Sequence, residues 1–219
     1  MKIGTAKPFT WSYSKLSLYE SCPAKYKYRY LEGLKTPKAA AASRGTEIHE
    51  GVENYLHRRV ETVPAPAAAF FSIIAEVREH KPKIEHKIGF DKNWKPAPWD
   101  DAWGRSVIDA GYCAKSEVHI QEWKSGKIYD DHADQRRLYS TLGSLVWPAA
   151  KSFTIRTYYF DQGVIKKLTI TADDMEAIKD DFSRRVYFME IDDECAPRPS
   201  WSCNYCDYSR LKGGVCKRG

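Results

Sequence analysis

No long hydrophobic run occurs in this 219-residue sequence. The longest apolar stretch, APAAAFFSIIA at residues 65–75, is too short and too rich in alanine to span a bilayer. A membrane partner is therefore not expected. The first residues, MKIGTAKPFTWSYS, lack the apolar core of a secretory signal, and the default expectation is a cytoplasmic protein. There is no internal repeat, and no low-complexity tract beyond the alanines of KTPKAAAASRG. Aspartate is missing from the first ninety residues, the first being Asp91. Any carboxylate pair that needs an aspartate must therefore draw on the later part of the chain.

What is present describes a globular protein. Hydrophobic residues make up 42% of the chain, and a length of 219 residues fits one domain with an ample core. Charge is unevenly spread. Residues 1–40 carry a net +6, residues 203–219 a net +3, and the middle a net −3. Basic ends around an acidic centre suit a polyanion held over a carboxylate metal site, although a moderately basic surface would give the same totals. Six cysteines, at 22, 113, 195, 203, 206 and 216, suggest metal binding rather than disulfides in a reducing compartment.

Periodicity supplies the elements. In SYSKLSLYESCPAKYKYRYL (12–31), Tyr13, Leu16, Tyr19, Pro23, Tyr26 and Tyr30 recur at helical spacing. Pro23 suits the first turn of a second helical piece, with Cys22 at the junction. Residues 35–45 read as a flexible connection. Helices are expected over 46–59, after the prolines of VPAPAAAFFSIIAEVREH, over 132–147, and from a Thr171 cap onward. Strands are expected at KIEHKIGF, RSVIDAGYCA and EVHIQEWK, and in a hairpin around Asp161-Gln162-Gly163.

Two Glu-x-Lys triplets compete for a catalytic reading: Glu85-His86-Lys87 and Glu122-Trp123-Lys124. On a strand, residues two apart share a face, so either triplet aligns a carboxylate with an amine. Nothing upstream supplies an aspartate to Glu85, and Glu85 and His86 are read as structural. Before Glu122 stands VIDAG, with Asp109 in an apolar strand, where a carboxylate is costly without a partner. Asp109 and Glu122 suit a hard divalent cation, Mg²⁺ or Mn²⁺, which would activate water at a phosphate. Lys124 would orient that water or balance developing charge. The alternative is a surface hairpin with an Asp/Glu/Lys ion-pair cluster.

The VID strand, EWKSGK thirteen residues after Asp109 and the following QRRLY together resemble the PD-(D/E)XK nuclease superfamily. The nearest resemblance is to its RecB-like branch, which includes phage exonucleases, helicase–nuclease subunits and CRISPR-associated nucleases. RGTEIHE resembles that branch's histidine motif, which makes His49 a third metal ligand. Gln135 and Tyr139 resemble its Gln-x-x-x-Tyr helix, where they would contact the substrate phosphate or hold Lys124. Glu53, one turn after His49, is a weaker candidate for supporting it. Glu122 is a departure, since many relatives carry aspartate there. The resemblance implies an α/β fold: a central mixed β-sheet flanked by helices, with a restriction-endonuclease-like core in a single domain over 1–219.

Cys203, Cys206 and Cys216 provide three thiolates in a short tail, and a closed metal site needs a fourth. The resemblance points to Cys22 and to a [4Fe–4S] cluster, with zinc as the alternative; Cys195 is the nearest other candidate, and Cys113 is expected to be buried on its strand. The nine residues between Cys206 and Cys216 exceed the gap in several relatives. Such a cluster would staple residues 1–34 to 197–219 and gather the basic ends into one wall of a DNA channel. The function implied is a metal-dependent DNA nuclease, an exonuclease on DNA ends or single strands in phage or mobile-element recombination. Helicase, recombinase or CRISPR-adaptation partners are compatible with it. The competing readings are a CRISPR-adaptation nuclease that trims spacers and a non-catalytic DNA-binding module stapled by zinc.

Overall fold

The computed structural model of the chain describes residues 8–36 and 40–216. It divides into two compact units, residues 38–181 and a second formed by residues 1–37 with 182–219. Among the described residues no helix is long and apolar enough to cross a membrane.

The unit of residues 38–181 is built on one five-stranded sheet, in the order β1 (Lys83–Phe90), β2 (Gly104–Ala114), β3 (Glu117–Lys124), β4 (Ser152–Tyr159) and β5 (Val164–Thr171). Neighbours are antiparallel except β3 and β4, which run parallel. Parallel neighbours need a long crossover, and α5 (Asp131–Val146) supplies it. The sheet is thus mixed, as expected. One face is covered by α3 (Ala40–Leu56) and α4 (Phe71–Glu79). Ile48, Val52, Tyr55, Ile74 and Val77 from these helices form a core with Ala110, Tyr112, Trp123 and Tyr158. Alternation along β2 and β3 sends those sheet residues to one side. Helix α3 begins at Ala40, so the segment expected to be a connection is partly helical. Its alanines are strong helix formers, whereas residues 37–39 lie outside the described part.

Helix α5 lies against the sheet through Gly143. A Cβ there would meet Phe153 at 3.1 Å, Ile120 at 3.2 Å and Val118 at 3.4 Å. A side chain there would require these neighbours to give by a few tenths of an ångström. The β4–β5 hairpin turns through Gly163 at φ 63°, a conformation open to glycine. Thr171 caps the next segment as expected: its backbone N–H and Oγ1 both donate to Asp174 Oδ2, at 3.2 and 2.8 Å.

In the other unit, α1 (Tyr13–Ser21) and α2 (Pro23–Tyr26) meet at Cys22, whose extended backbone separates them. A π-helical turn, Lys27–Leu31, follows. Tyr13, Leu16 and Tyr26 are buried, so the tyrosine stripe is largely core. Residues from α6 (Met175–Ile191) and the tail pack onto these pieces. Arg185 grips Glu20 with two hydrogen bonds of 2.6 and 2.7 Å, Tyr19 donates to Asp192 at 2.8 Å, and Trp11 stacks on Phe182. Tyr208 donates to the Leu34 carbonyl at 2.9 Å. All six cysteines are free thiols. Cys113 is exposed rather than buried: it lies near the end of β2, where its thiol turns back to the Lys115 carbonyl at 3.7 Å.

Gly143→Leu should destabilise the protein by roughly 1–3 kcal/mol through overpacking between α5 and the sheet. A urea denaturation midpoint unchanged from wild type would show that the helix–sheet spacing is not set there.

Candidate active site

Three adjacent strands and two helices converge on a single acidic site. The register that pairs Ala110 with Gln121 sets Asp109 across from Glu122. Asp109 is 9% and Glu122 5% exposed, so both carboxylates are withdrawn from water. Asp109 Oδ2 accepts the Trp123 backbone N–H at 2.7 Å. This bond favours its charged form. Burial and the neighbouring Glu122 act more strongly, and they hold the Asp109 carboxyl well above the usual carboxylate range.

Lys124 supplies the opposing charge. Its Nζ lies 2.6 Å from Glu122 Oε1. Burial pulls the Lys124 ammonium down, but Glu122 and then Asp109 outweigh it, so the amine is held above its ordinary value and stays charged. Gln135 Nε2 also donates to Glu122 Oε1, at 3.1 Å, and to the Tyr139 hydroxyl at 2.9 Å; Tyr139 in turn donates to the Val107 carbonyl at 3.2 Å. Gln135 and Tyr139, one turn apart on α5, thus brace the glutamate. The sequence reading gave them Lys124 or a phosphate to hold. Glu122 Oε2 remains buried without a hydrogen-bond partner among the described residues.

His49 on α3 brings Nδ1 to 3.7 Å from Asp109 Oδ1. Burial holds the imidazole below its ordinary pKa, and the ring also bonds the Trp123 backbone. It is therefore a neutral nitrogen donor at neutral pH, the form that ligates metals. Ligand atoms of His49, Glu85 and Asp109 lie within 4.8 Å of one another.

Glu85 corrects the sequence reading. It was set aside for lack of an upstream aspartate, but an antiparallel sheet supplies its partner from downstream. Ile84 pairs with Ala110 and His86 with Ile108, which brings Glu85 beside Asp109. The Glu85 backbone has φ 45°, unusual for glutamate and a sign of local strain within a strand. Burial and the neighbouring Glu53 and Glu122 raise its pKa. The available signal was its place in a strand next to that of Asp109. An open cavity of about 470 Å³ lies here, lined by His49, Glu50, Glu53, Glu85 and Asp109 together with Gly45 and Thr46. Glu53 lines this cavity, and its carboxylate pairs with Arg59 at 3.6 Å and His57 at 3.7 Å.

The turn after Lys124 is tied down. Both carboxylate oxygens of Asp161 accept from Arg44, at 2.7 and 2.8 Å, and Oδ2 also accepts the Gly126 N–H at 3.0 Å. The Ser-Gly turn is thereby fastened to α3, the helix that carries His49. The Arg44 hydrogen bonds hold the Asp161 carboxyl below its usual range. The clamp is thus intact above the ordinary aspartate pKa and is lost only as pH falls through the depressed value.

A model of the PD-(D/E)XK nuclease superfamily matches residues 10–112 and 107–211. The chain belongs to this superfamily. No curated protein matches it. Among solved structures, SSO0001 is similar over 99% of this chain and 90% of its own, at 17% identity and a TM-score of 0.55. A Eubacterium rectale protein titled "Putative exonuclease" is similar over 95% of this chain and 89% of its own, at 12% identity and a TM-score of 0.53. Likeness at these identities extends to the fold. Within it, His49, Asp109, Glu122, Lys124, Gln135 and Tyr139 all gather at one place, and Glu85 joins them.

Two outcomes test this geometry. In metal-free protein, Asp109→Asn should raise stability by about 0.5–2 kcal/mol, because it replaces a buried carboxyl crowded by Glu122 with a neutral amide that keeps an acceptor for Trp123. A lower denaturation midpoint would mean that the carboxylates do not repel one another. Asp161→Asn should speed hydrogen exchange at the Gly126 amide at neutral pH, and an unchanged rate would show that the clamp does not order the turn.

Proposed function

We propose that the protein is a divalent-metal-dependent deoxyribonuclease, acting as an exonuclease on DNA ends or single strands. The observation that carries this reading is an imbalance of charge. Ligand atoms of Glu85 and Asp109 gather with His49, while Glu122 stands across from Asp109, pairs with Lys124 as the adjoining cation and retains an orphaned buried oxygen. Hard oxygen donors with one neutral imidazole fit Mg²⁺ or Mn²⁺. Asp109, Glu122 and His49 would hold the ion, with Glu85 as a further oxygen donor. Bound there, it would polarise a scissile phosphate and acidify a water molecule.

The chain's own groups have separate tasks. Lys124, charged and held by Glu122, presents an ammonium that stabilises charge growing on the phosphate oxygens. Gln135 keeps Glu122 pointing inward, and Tyr139 keeps Gln135 in place. The Trp123 N–H fixes the rotamer of Asp109. DNA as substrate rests on the superfamily, and the net positive charge of both chain ends favours a polyanion.

A four-thiolate metal group in the other unit belongs to the same reading. Cys22, Cys203, Cys206 and Cys216 line one cavity, with Pro197, Arg198 and Pro199 beside them. Backbone N–H groups of Arg198 and Ser200 donate to the sulfurs of Cys22 and Cys203, at 3.5 and 3.4 Å. These four cysteines around one cavity would hold a [4Fe–4S] cluster, with zinc as the chemical alternative. Cys195 is buried against Asp192, whose carbonyl accepts its thiol at 3.3 Å, and plays no part. The group would be a staple whose binding energy contributes to folding.

Digestion of end-labelled linear DNA with Mn²⁺ tests the enzyme. Asp109→Ala, Glu122→Ala and Lys124→Ala should each cut the rate by at least about 100-fold while leaving DNA binding in place. His49→Ala should raise the Mn²⁺ concentration required. Full activity in Lys124→Ala would place the chemistry elsewhere. Circular DNA cut as fast as linear DNA would exclude an exonuclease. For the staple, iron, sulfide and zinc analysis of anaerobically purified protein is decisive. Serine at position 22, 203, 206 or 216 should lose the metal, whereas Cys113→Ser and Cys195→Ser should keep it.

A further inference from the structure

Alternation along β3 sends Gln121 to the opposite face from Glu122. There, beneath α4, lies a second cavity of about 300 Å³. Gln121 lines it and is 0% exposed. Its Oε1 accepts the Tyr158 hydroxyl at 2.7 Å, but its Nε2 is buried with no hydrogen-bond partner among the described residues. A donor withdrawn from water and left unmade is costly, so such groups call for an explanation.

The neighbour of Gln121 across the parallel register is Arg156, which lines the same cavity. The Arg156 guanidinium meets the His119 ring at 3.2 Å. Burial holds that ring below its ordinary pKa, so the partner is neutral. Arg156 forms no ion pair among the described residues. On its other side Lys167 stands opposite it on β5. Like charges facing across strands are destabilising unless something compensates them. Two carboxylates are near. Glu117 is engaged by the Thr154 hydroxyl at 2.7 Å, and Glu76 is exposed on α4 at the cavity rim. Tyr112, stacked between His80 at 4.2 Å and His119 at 4.8 Å, forms a flat wall.

We propose that this cavity binds a small oxyanion, a phosphate or carboxylate group, gripped by the Arg156 guanidinium and the Gln121 Nε2 amide. Both are donors without an anionic acceptor. The planar guanidinium fork matches two oxygens of either group, and the amide supplies a neutral third donor. The volume is at the lower end of the range for small-molecule sites. None of the proposed metal ligands lines the cavity, so the site stands independently of the nuclease reading.

Isothermal titration of the metal-free, full-length protein tests it, with sodium phosphate and with sodium acetate as separate probes in chloride buffer of matched ionic strength. Saturable binding is expected, and the tighter of the two anions identifies the group preferred. Arg156→Gln should weaken it roughly tenfold or more, the scale of a charge-assisted bond. Gln121→Leu should weaken it severalfold, and Glu76→Gln should tighten it by removing a like charge at the rim. Arg156 is partly exposed, so its variant keeps the test sound if Gln121→Leu misfolds. Absence of saturable binding by either anion overturns the proposal. So does binding that Arg156→Gln leaves unchanged, since the anion would then sit elsewhere.

Discussion

Crowded, buried negative charge is the constraint around which the sheet unit is organised. Asp109 and Glu122 face one another across β2 and β3, and Glu85 approaches from β1. Folding such a group without a cation works against stability. The compensations are local and specific: one lysine at 2.6 Å, one backbone N–H at 2.7 Å and one glutamine at 3.1 Å. Each engages an oxygen of Asp109 or Glu122. A site arranged this way trades stability for chemistry, as functional sites commonly do.

The scaffold explains how the groups come to their positions. Parallel pairing of β3 with β4 requires the α5 crossover, and that helix returns over the β3 face carrying Glu122 and Lys124. Gln135 and Tyr139 therefore reach the glutamate as a consequence of topology. Gly143 lets the helix lie close enough for those contacts to form. On the opposite side, α3 is anchored in the core through Ile48 and Val52, which leaves His49, between them in sequence, at the edge of the sheet facing Asp109.

Much of this was legible in the residues. Period-two alternation in VIDAGYCA and EVHIQEWK revealed the strands, and an aspartate in an apolar strand pointed to a cation. The helical break at Cys22 followed from Pro23. Glu85 was not legible because its role depends on which strand lies beside it, and local sequence does not encode that adjacency. Its positive φ is likewise invisible in a glutamate codon. The brace from Gln135 to Glu122 depends on how far α5 is rotated over the sheet, a product of packing around Gly143. The Asp161 clamp joins residues 35 apart through a hairpin turn that reads from sequence only as a turn.

The division into units has a consequence for synthesis. Residues 38–181 form a contiguous unit, whereas the other needs residues 182–219 to complete it. On the ribosome, the sheet and its acidic site can therefore form while the first helices still lack Arg185, Asp192 and Tyr208. The tyrosine-rich segment of residues 12–31 is made before those partners. Until residues 182–208 are also made, its buried tyrosines lack the side chains that cover them.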